Sequence, residues 1–370
     1  MISSGLAADV IVVGAGIVGA ACAHALASTG LDVLVLDDGR PAATAAGMGH
    51  LVVMDDNPAE LALSAYSLQQ WRAWAQHMPS DCAWHACGTL WLANDEEEMA
   101  AALEKQARLN TVGVTSELIS ATQLQALEPA LRPGLAGGLR VPSDSLVFAP
   151  TAARWLLGQS RSIRSQSATV VEVDGRRVRL AHQGWLYAAA VVLANGIHAT
   201  QLCPELPLRP KKGHLLITDR YPGLVQHQLV ELSYVKTAHH STGPSVAFNL
   251  QPRPTGQLLL GSSRQFDDTS ADLDPAILKQ MLDCALAYVP GLANLNAIRC
   301  WTGLRAATPD GRPLLGPHPQ QSGLWLALGH EGLGITTAPA SGHLLAMQIT
   351  GGQPALDPAP YLPQRGEALS

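Results

Sequence analysis

The sequence predicts an α/β fold: a discontinuous Rossmann-like dinucleotide-binding domain combined with a smaller substrate domain built on a mixed antiparallel sheet. Three observations support this prediction. A strand, a glycine-rich turn and a helix open the chain, and a second fully apolar strand ends at Gly196. A β-rich stretch with one helix then precedes a last glycine-rich segment and helix. Strand–helix units interrupted by a β-rich region are typical of two sheets in one chain.

The composition favours a small-molecule partner. The chain has 370 residues, enough for two domains, and a formal net charge of -6. No basic cluster exceeds a pair such as Lys211–Lys212, so we expect no nucleic acid. The six cysteines form no CxxC pair, which argues against a disulfide framework and against a zinc or iron–sulfur site. We therefore expect no metal and a reduced, cytoplasmic setting.

The first element is the strand Asp9–Val13, followed by "GAGIVG". Gly14, Gly16 and Gly19 have the G-x-G-x-x-G spacing, which permits a tight turn, close approach to a pyrophosphate and packing of the helix on the strand. The N-terminus of that helix would face the phosphates. Asp37 ends the second strand, 23 residues after Gly14, where an acid accepts hydrogen bonds from an adenosine ribose. The motif predicts dinucleotide binding and leaves NAD and FAD both open.

The apolar start of the chain has a second interpretation, as a signal peptide or a membrane span. Nothing basic precedes it, Asp9 opens it and glycines interrupt it, so we expect buried α/β core instead. No other run approaches the ~18 apolar residues of a spanning helix. We predict no direct membrane span and leave membrane association through a partner open.

The following segments favour a flavin over a nicotinamide. A nicotinamide dehydrogenase usually continues to alternate strands and helices, whereas here residues 39–51 form a small-residue loop and an amphipathic surface helix occupies residues 96–109. An NAD-linked dehydrogenase is the alternative.

The remaining elements follow from capping and turn signals. Ser120 is expected to cap a helix that begins at Ala121, and Asp174–Gly175 indicates a hairpin. Ala188–Leu193 is typical of a parallel strand buried on both faces. Further helices are predicted at residues 151–160 and 275–289, and strands at residues 88–95, 137–150 and in the β-rich stretch 206–298.

These elements predict the domain organisation. The nucleotide-binding domain comprises residues 1–87, 146–209 and 299–355, and the substrate domain comprises residues 88–145 and 210–298. Residues 356–370 are expected to form an extended tail.

Blocks in a fixed order resemble a known family. They are "VIVVGAGIVGAACAHALASTG", "AAGM", "GTLWLA", "LEPAL", "VVLANG", "GQLLLGSSR", "WTGLRAATPDGRPLLG" and "LGHEGLGITTAPASG". Together, over about residues 8–352, they resemble the D-amino-acid oxidase/glycine oxidase/sarcosine oxidase family of FAD-dependent amine oxidoreductases. "GHEGLGIT" is most similar to the flavoprotein subunits of hydroxyproline and proline dehydrogenases and of the cyanide-forming glycine dehydrogenase.

The resemblance implies FAD and assigns roles to individual residues. Arg305 would hold the substrate carboxylate, although the family often has Arg-Pro where this chain has Arg305–Ala306. No cysteine or histidine matches a covalent flavin attachment, so non-covalent FAD is expected. The implied cofactor-binding residues are Gly14, Gly16, Gly19 and Asp37 at the ADP half, Val171 at the adenine, Gly196 at the pyrophosphate, and Gly47 and Met48 beside the isoalloxazine ring.

The loop before the last helix predicts a second cofactor contact. Backbone N–H groups and the helix dipole would stabilise negative charge on the reduced flavin. The residues concerned are Gly332, Leu333, Gly334, Ile335 and Thr336.

Several polar residues have two interpretations. His50 is expected near the flavin, in a cofactor or substrate role or as a structural, hydrogen-bonded histidine. Arg305 has the alternative of a surface arginine paired with Asp310. His330 and Glu331 are placed near the flavin with no assigned role. Tyr234 is a weak substrate-contact candidate, and His239–His240 lack further ligands for a metal.

The sequence thus predicts FAD-dependent oxidation of a small amino or imino acid, of D-hydroxyproline, D-proline or glycine type, to the imine by hydride transfer to flavin N5. The alternatives are a flavoprotein subunit for electron relay or assembly and, less favoured, the NAD-linked dehydrogenase. If electrons leave through an iron–sulfur cluster, another subunit must carry it.

Overall fold

The computed structural model of the protein describes residues 6–232 and 244–365. Eight α-helices lie within these residues. They are α1 (Ile17–Ser28), α2 (Ala43–Ala46), α3 (Pro58–Ala75), α4 (Glu96–Thr111), α5 (Ala121–Leu127), α6 (Ala149–Leu157), α7 (Pro275–Tyr288) and α8 (Gly334–Thr350).

The strands of the same described residues form two large sheets and one two-stranded sheet. They are β1 (Ala8–Val13), β2 (Val33–Asp37), β3 (His50–Leu51), β4 (Thr89–Ala93), β5 (Glu117–Ser120), β6 (Gly137–Val141), β7 (Ser145–Leu146), β8 (Ile163–Ser167), β9 (Val170–Asp174), β10 (Arg177–Leu180), β11 (Gly184–Leu193), β12 (Arg209–Arg220), β13 (Gln228–Glu231), β14 (Ser245–Pro252), β15 (Gln257–Phe266), β16 (Ala297–Ala307), β17 (Leu314–Pro317) and β18 (Leu324–Leu328).

The first large sheet has the order β17-β18-β11-β1-β2-β8, with β10 and β9 attached through β11. Its central pairs are parallel and β17 is antiparallel. Helices α1 and α8 follow β1 and β18, so both begin at the carboxyl edge of this sheet. They pack so closely that a Cβ on Gly342 would lie 2.5 Å from the carbonyl oxygen of Ala21. Ligands of open α/β sheets bind at this edge.

The second large sheet has the order β16-β12-β15-β14-β13-β4-β6-β5. It is antiparallel except for the β13–β4 pair, as expected for the mixed sheet of the substrate domain. The two-sheet α/β fold predicted from the sequence is confirmed.

Local signals gave several elements correctly. Strand β1, the helix after it and the hairpin at Asp174–Gly175 are present, with Arg177 opposite Asp174. Gly30 has φ +92° just past α1, in the left-handed region that favours glycine. Ser120 caps α5 in a capping box with Gln123.

Other elements differ from the sequence-based expectation. Helix α3, 18 residues long, was not anticipated, and the 39–51 loop contains the short helix α2 and strand β3. Strand β16 pairs with β12 along its whole length, so the boundary predicted between residues 298 and 299 cuts this strand. Residues 299–307 therefore belong to the second sheet. The rest of the domain division stays a prediction.

Tyr234, His239 and His240 lie outside the described residues. Among the residues that the structure describes, no helix has the length and apolarity needed to cross a bilayer.

Candidate active site

The glycine turn after β1 is shaped by contacts that exclude side chains. Gly14 has φ +109°, and a Cβ there would lie 2.7 Å from the carbonyl oxygen of Ala194. A Cβ on Gly19 would lie 2.0 Å from the oxygen of Gly14. The Asp37 carboxylate reaches this turn, where it accepts the N–H of Ala15 at 2.7 Å. The turn is thus a bare-backbone cradle at a helix N-terminus, with an acid beside it, and it suits the ADP half of a dinucleotide.

Neighbouring residues extend this cradle. Gly196, with φ +60°, begins a 3-10 turn after β11. The side-chain oxygen of Asn195 is buried and has no hydrogen-bond partner among the described residues. Val171 is 40% exposed and lines a cleft of about 480 Å³ together with Asp38 and Thr169. These positions are compatible with the predicted adenine and pyrophosphate contacts, which stay predictions.

The segment after α2 lies between the two large sheets. A Cβ on Gly47 would lie 2.9 Å from Cδ1 of Ile335, in the first turn of α8. Met48 is 7% exposed and packs against Leu215 and Leu259 of the second sheet. Gly47, just after α2, and Ile335, in the first turn of α8, therefore lie side by side.

His50 has hydrogen bonds at both ring nitrogens. Nδ1 lies 2.8 Å from Oε1 of Gln228, and Nε2 lies 3.0 Å from Nδ2 of Asn249. Burial, together with the nearby charges of Arg253 and Arg305, lowers the pKa of His50 to about 4. His50 is therefore neutral at physiological pH, with both nitrogens engaged.

Arg305 lies near the end of β16, and its guanidinium crosses the neighbouring strand β12. Nη1 donates to the carbonyl oxygen of Ser263 at 3.1 Å. A Cβ on Gly213 would lie 2.5 Å from Nη1, and one on Gly332 would lie 3.9 Å from Nε. The alternative partner Asp310 instead pairs with Arg312 and Arg365. The guanidinium thus rests on bare backbone of the second sheet, next to the loop before α8.

A charge cluster borders Arg305. Lys211, directly opposite Arg305 in the β12–β16 register, lies 2.6 Å from Oε1 of Glu331, and Nε of Arg264 lies 3.9 Å from the same oxygen. Burial pushes the pKa of Glu331 upward, but the charges of Lys211, Arg264 and Arg305 outweigh this effect and hold the pKa below its ordinary value. Glu331 also has φ +47°, a backbone strain of the kind that collects at functional sites.

His330 is held inside the protein. Its Nε2 lies 2.9 Å from Oγ of Ser341, and burial lowers the pKa of His330 to about 4. This histidine of the preceding loop is bound to α8 through Ser341, so its geometry indicates a structural role.

The start of α8 is stabilised by α3. Pro339 has no N–H, so the carbonyl of Ile335 lacks its helical donor and accepts Nε1–H of Trp71 at 3.1 Å instead. Ser67 accepts the N–H of Ala340 at 3.0 Å. These contacts let the helix begin at Gly334, five residues before the proline, and so direct its N-terminus at the gap between the sheets.

One group of possible metal ligands lies elsewhere in the described residues. Cys203, Glu205 and His318 have ligand atoms within 4.8 Å of one another. Nδ1 of His318 accepts the N–H of Gln320 at 3.1 Å, which leaves the proton on Nε2, 3.1 Å from Glu205. Nε2 of His318 nevertheless has no hydrogen bond among the described residues, and the expectation that the protein has no metal stays a prediction.

The sequence did not single out Gly213, Gln228, Asn249 or Arg264 as site residues. Each lies on a strand of the second sheet and reaches the site only through strand pairing. The alternating pattern of these strands could have indicated a shared face, but not which strands are neighbours.

The chain is similar to known proteins over almost its whole length. The family model "FAD dependent oxidoreductase" (DAO) matches residues 9–348. Glycine oxidase of Pseudomonas aeruginosa is 31% identical over 382 residues, 96% of this chain and 98% of the relative. Hydrogen cyanide synthase subunit HcnC of the same species is 26% identical over 415 residues, 96% of each chain. The crystal structure of glycine oxidase from Geobacillus kaustophilus has a TM-score of 0.85 and 25% identity, covering 97% of this chain and 98% of that one.

The predicted FAD dependence, rather than NAD, and the predicted enzyme class, an oxidoreductase acting on CH–NH bonds, are thus confirmed. The chain belongs to the DAO family of FAD-dependent oxidoreductases.

Proposed function

We propose that the protein oxidises a small amino or imino acid, of D-hydroxyproline, D-proline or glycine type, to the corresponding imine. The observation that carries this proposal is the guanidinium of Arg305, held over Gly213 by Ser263 and facing the loop before α8. When bound, FAD supplies the acceptor for the hydride equivalent at N5. The chain's own residues bind, orient and desolvate the substrate.

In this proposal Arg305 binds the substrate carboxylate. A planar guanidinium can donate two parallel charge-assisted hydrogen bonds, which fix the direction of the substrate as well as its distance. Cross-strand Lys211 and nearby Arg264 add positive potential at the same place, and Glu331 balances part of it. Such a surrounding attracts an anionic substrate.

His50 is proposed as a positioning residue. Both of its ring nitrogens are engaged by Gln228 and Asn249, so neither is available to take the proton of a substrate ammonium. The amine loses that proton to solvent as it enters the site, because desolvation and the nearby positive charges of Lys211, Arg264 and Arg305 lower the pKa of an ammonium group. We expect His50→Gln to lower kcat/KM while the pH profile between pH 5 and 8 keeps its shape. A step in the wild-type profile that disappears in the variant would make His50 the base.

The cofactor contacts keep their proposed assignments. Gly14, Gly16, Gly19 and Asp37 hold the ADP half, and the N-terminus of α8 lies at the flavin end. The binding is proposed to be non-covalent, since no residue matches an attachment pattern.

A second candidate is a flavoprotein subunit of a larger complex, with an electron-transfer or iron–sulfur subunit as partner. Hydrogen cyanide synthase subunit HcnC, a relative over 96% of this chain, is named as a subunit and supports this candidate. A subunit that only relays electrons has no use for a carboxylate clamp, so Arg305 favours an enzyme that binds substrate itself. The two candidates agree if this chain is the catalytic subunit of a complex.

Anaerobic reduction of the flavin tests the proposal. The purified protein should show flavin absorption that glycine, D-proline or D-hydroxyproline bleaches. Arg305→Ala should lower kcat/KM about 100-fold or more, because it removes both charged hydrogen bonds, while the FAD content stays unchanged.

Gly213→Ala tests the position of the Arg305 guanidinium separately from its charge. Its Cβ would lie 2.5 Å from Nη1 of Arg305 and displace the guanidinium without removing it, so we expect KM to rise about tenfold. Gly291→Ala is the matched control, because no atom lies within 4 Å of its Cβ position and, as at Gly213, φ is not in the left-handed region. Wild-type kinetics in Arg305→Ala, or a flavin that none of these acids bleaches, would overturn the proposed function.

A further inference from the structure

A chain of hydrogen bonds in the candidate active site ends in a buried oxygen that has no donor. Asn249 is 7% exposed, and its Oδ1 has no hydrogen-bond partner among the described residues. We propose that this oxygen accepts an N–H of the substrate amine, so that Asn249 selects primary and secondary amines over tertiary ones. This inference rests on the proposed function and adds to it a specificity-determining residue.

The orientation of the Asn249 amide follows from the other end of this series of hydrogen bonds, at the carbonyl of Ser145. The carbonyl of Ser145 can only accept, so the side-chain nitrogen of Gln228 must face it, at 3.1 Å. Oε1 of Gln228 then faces Nδ1 of His50, which must carry the proton. Nε2 of His50 is consequently an acceptor and requires the NH₂ group of Asn249. A 180° flip of the Asn249 amide would place Oδ1 against Nε2 of His50, and two acceptors would then face each other. Oδ1 is therefore the atom left without a donor.

Asn249 and the guanidinium of Arg305 share one face of the second sheet. Asn249 lies directly opposite Gly261, and a Cβ on Gly261 would contact Leu215 and Sδ of Met48. Opposite residues of an antiparallel pair project to the same side, so Asn249 projects towards Met48. Leu215 and Gly213 alternate along β12 and also share a face, and the guanidinium of Arg305 lies over Gly213. The positive charge of Arg305 also lowers the pKa of His50, the hydrogen-bond partner of Asn249, so the two groups are close enough to interact.

The chemistry of the reaction requires an acceptor of this kind. As the Cα–H bond breaks, its electron pair leaves with the hydride, and the nitrogen lone pair forms the C=N bond. The N–H bond stays intact in this step and becomes a stronger donor as positive charge develops on nitrogen; the iminium product then loses a proton to solvent to give the imine. A hydrogen bond to Oδ1 therefore strengthens towards the transition state, which raises kcat as well as affinity. An amide oxygen does not take the proton, so Asn249 orients the amine and does not act as its base.

A neutral tertiary amine has no N–H and would bury Oδ1 without a donor. A buried acceptor left without a partner costs enough to change a rate constant about tenfold to a hundredfold. The wild-type protein should therefore prefer D-proline over N-methyl-D-proline, and glycine over N,N-dimethylglycine, by at least that factor.

The test uses Asn249→Leu, which keeps the shape and removes both polar atoms. We expect the rate of anaerobic flavin reduction by D-proline or glycine to fall about tenfold to a hundredfold, and the preference over the tertiary amines to disappear. Tetrahydro-2-furoate has a ring oxygen in place of the N–H group and buries Oδ1 without a donor, so its dissociation constant, measured from the flavin difference spectrum, should fall about tenfold in the variant. Gln265→Leu is the control, because Oε1 of Gln265 is also buried without a partner among the described residues, and Gln265 lies opposite Lys212, on the other face of the sheet from Gly213. It should keep the wild-type preference.

The outcomes separate this inference from the proposed function. If the flavin of the wild type is bleached by the amines and Asn249→Leu keeps the N–H preference, the inference is wrong and the proposed function stands. Loss of FAD from Asn249→Leu with an unchanged preference would assign Oδ1 to the cofactor instead. A wild-type flavin that no amine reduces would overturn both.

Discussion

Two glycine-rich turns precede helices at the carboxyl edge of the parallel sheet, and they differ in why they need glycine. In the turn before α1, a Cβ on Gly19 would lie 2.0 Å from the oxygen of Gly14. In the turn before α8, a Cβ on Gly334 or Gly332 would have no neighbour closer than 3.4 Å and 3.9 Å respectively. The fold itself requires the first glycines. In the second turn, packing within the protein does not require glycine. The glycines there leave open space in front of α8, as expected for a ligand contact.

The largest effect is expected in the first turn. Gly19→Ala would force the helix away from β1, and overpacking of this kind costs about 3 kcal/mol of stability. We expect a lower Tm and loss of FAD, measured by thermal unfolding and flavin content. Gly30→Ala is the control: it has φ +92° but no atom within 4 Å, so it should cost only about 1 kcal/mol. A wild-type Tm for Gly19→Ala would show that the turn can relax.

A pH effect of intermediate size is expected from the second turn. His330 stays neutral in the folded protein down to about pH 4, whereas the unfolded chain takes up the proton near pH 6.5. Stability should therefore be lost as the pH falls through this window, by about 2 kcal/mol between pH 7 and pH 4.5. Denaturant unfolding of wild type and His330→Gln at both pH values measures it. The variant should lose less stability, and parallel losses would exclude His330 as the source.

The smallest effect is expected from Gly334→Val, and it should affect the cofactor rather than the fold. The added side chain would occupy the space in front of α8, so we expect FAD binding or flavin reduction to weaken about tenfold. The Tm of the protein without cofactor should not change. Wild-type affinity and reduction kinetics would show that this turn is only a connector.

Sequence signals determined the elements that depend on near neighbours. The strand–turn–helix at Gly14–Gly19, the capping box at Ser120 and the hairpin at Asp174–Gly175 each depend on a few adjacent residues. The family blocks carried the prediction of FAD and of an amine oxidoreductase, which the comparisons confirmed.

Helix α3 was missed because its buried residues are spread around the helix rather than along one stripe. Its buried positions include Leu61, Leu63, Leu68 and Trp71, and the exposed face is narrow. The sequence also did not predict that α8 begins at Gly334, because a proline such as Pro339 usually lies in the first turn of a helix and so indicates a later start. The turn before Pro339 is stabilised by side chains of another helix, the indole of Trp71 and the hydroxyl of Ser67.

The sequence by itself thus determined the class of fold and the dinucleotide-binding turn, because these depend on short motifs whose spacing sets backbone geometry. Its resemblance to a known family added FAD and the type of chemistry. Tertiary structure alone decided that Arg305 rests on Gly213, that Lys211 pairs with Glu331, and that Gln228 and His50 orient Asn249. The physical reason is that these contacts join residues from different strands and loops. Strand order and register decide which side chains meet on one face of a sheet. Neither can be predicted from a few adjacent residues.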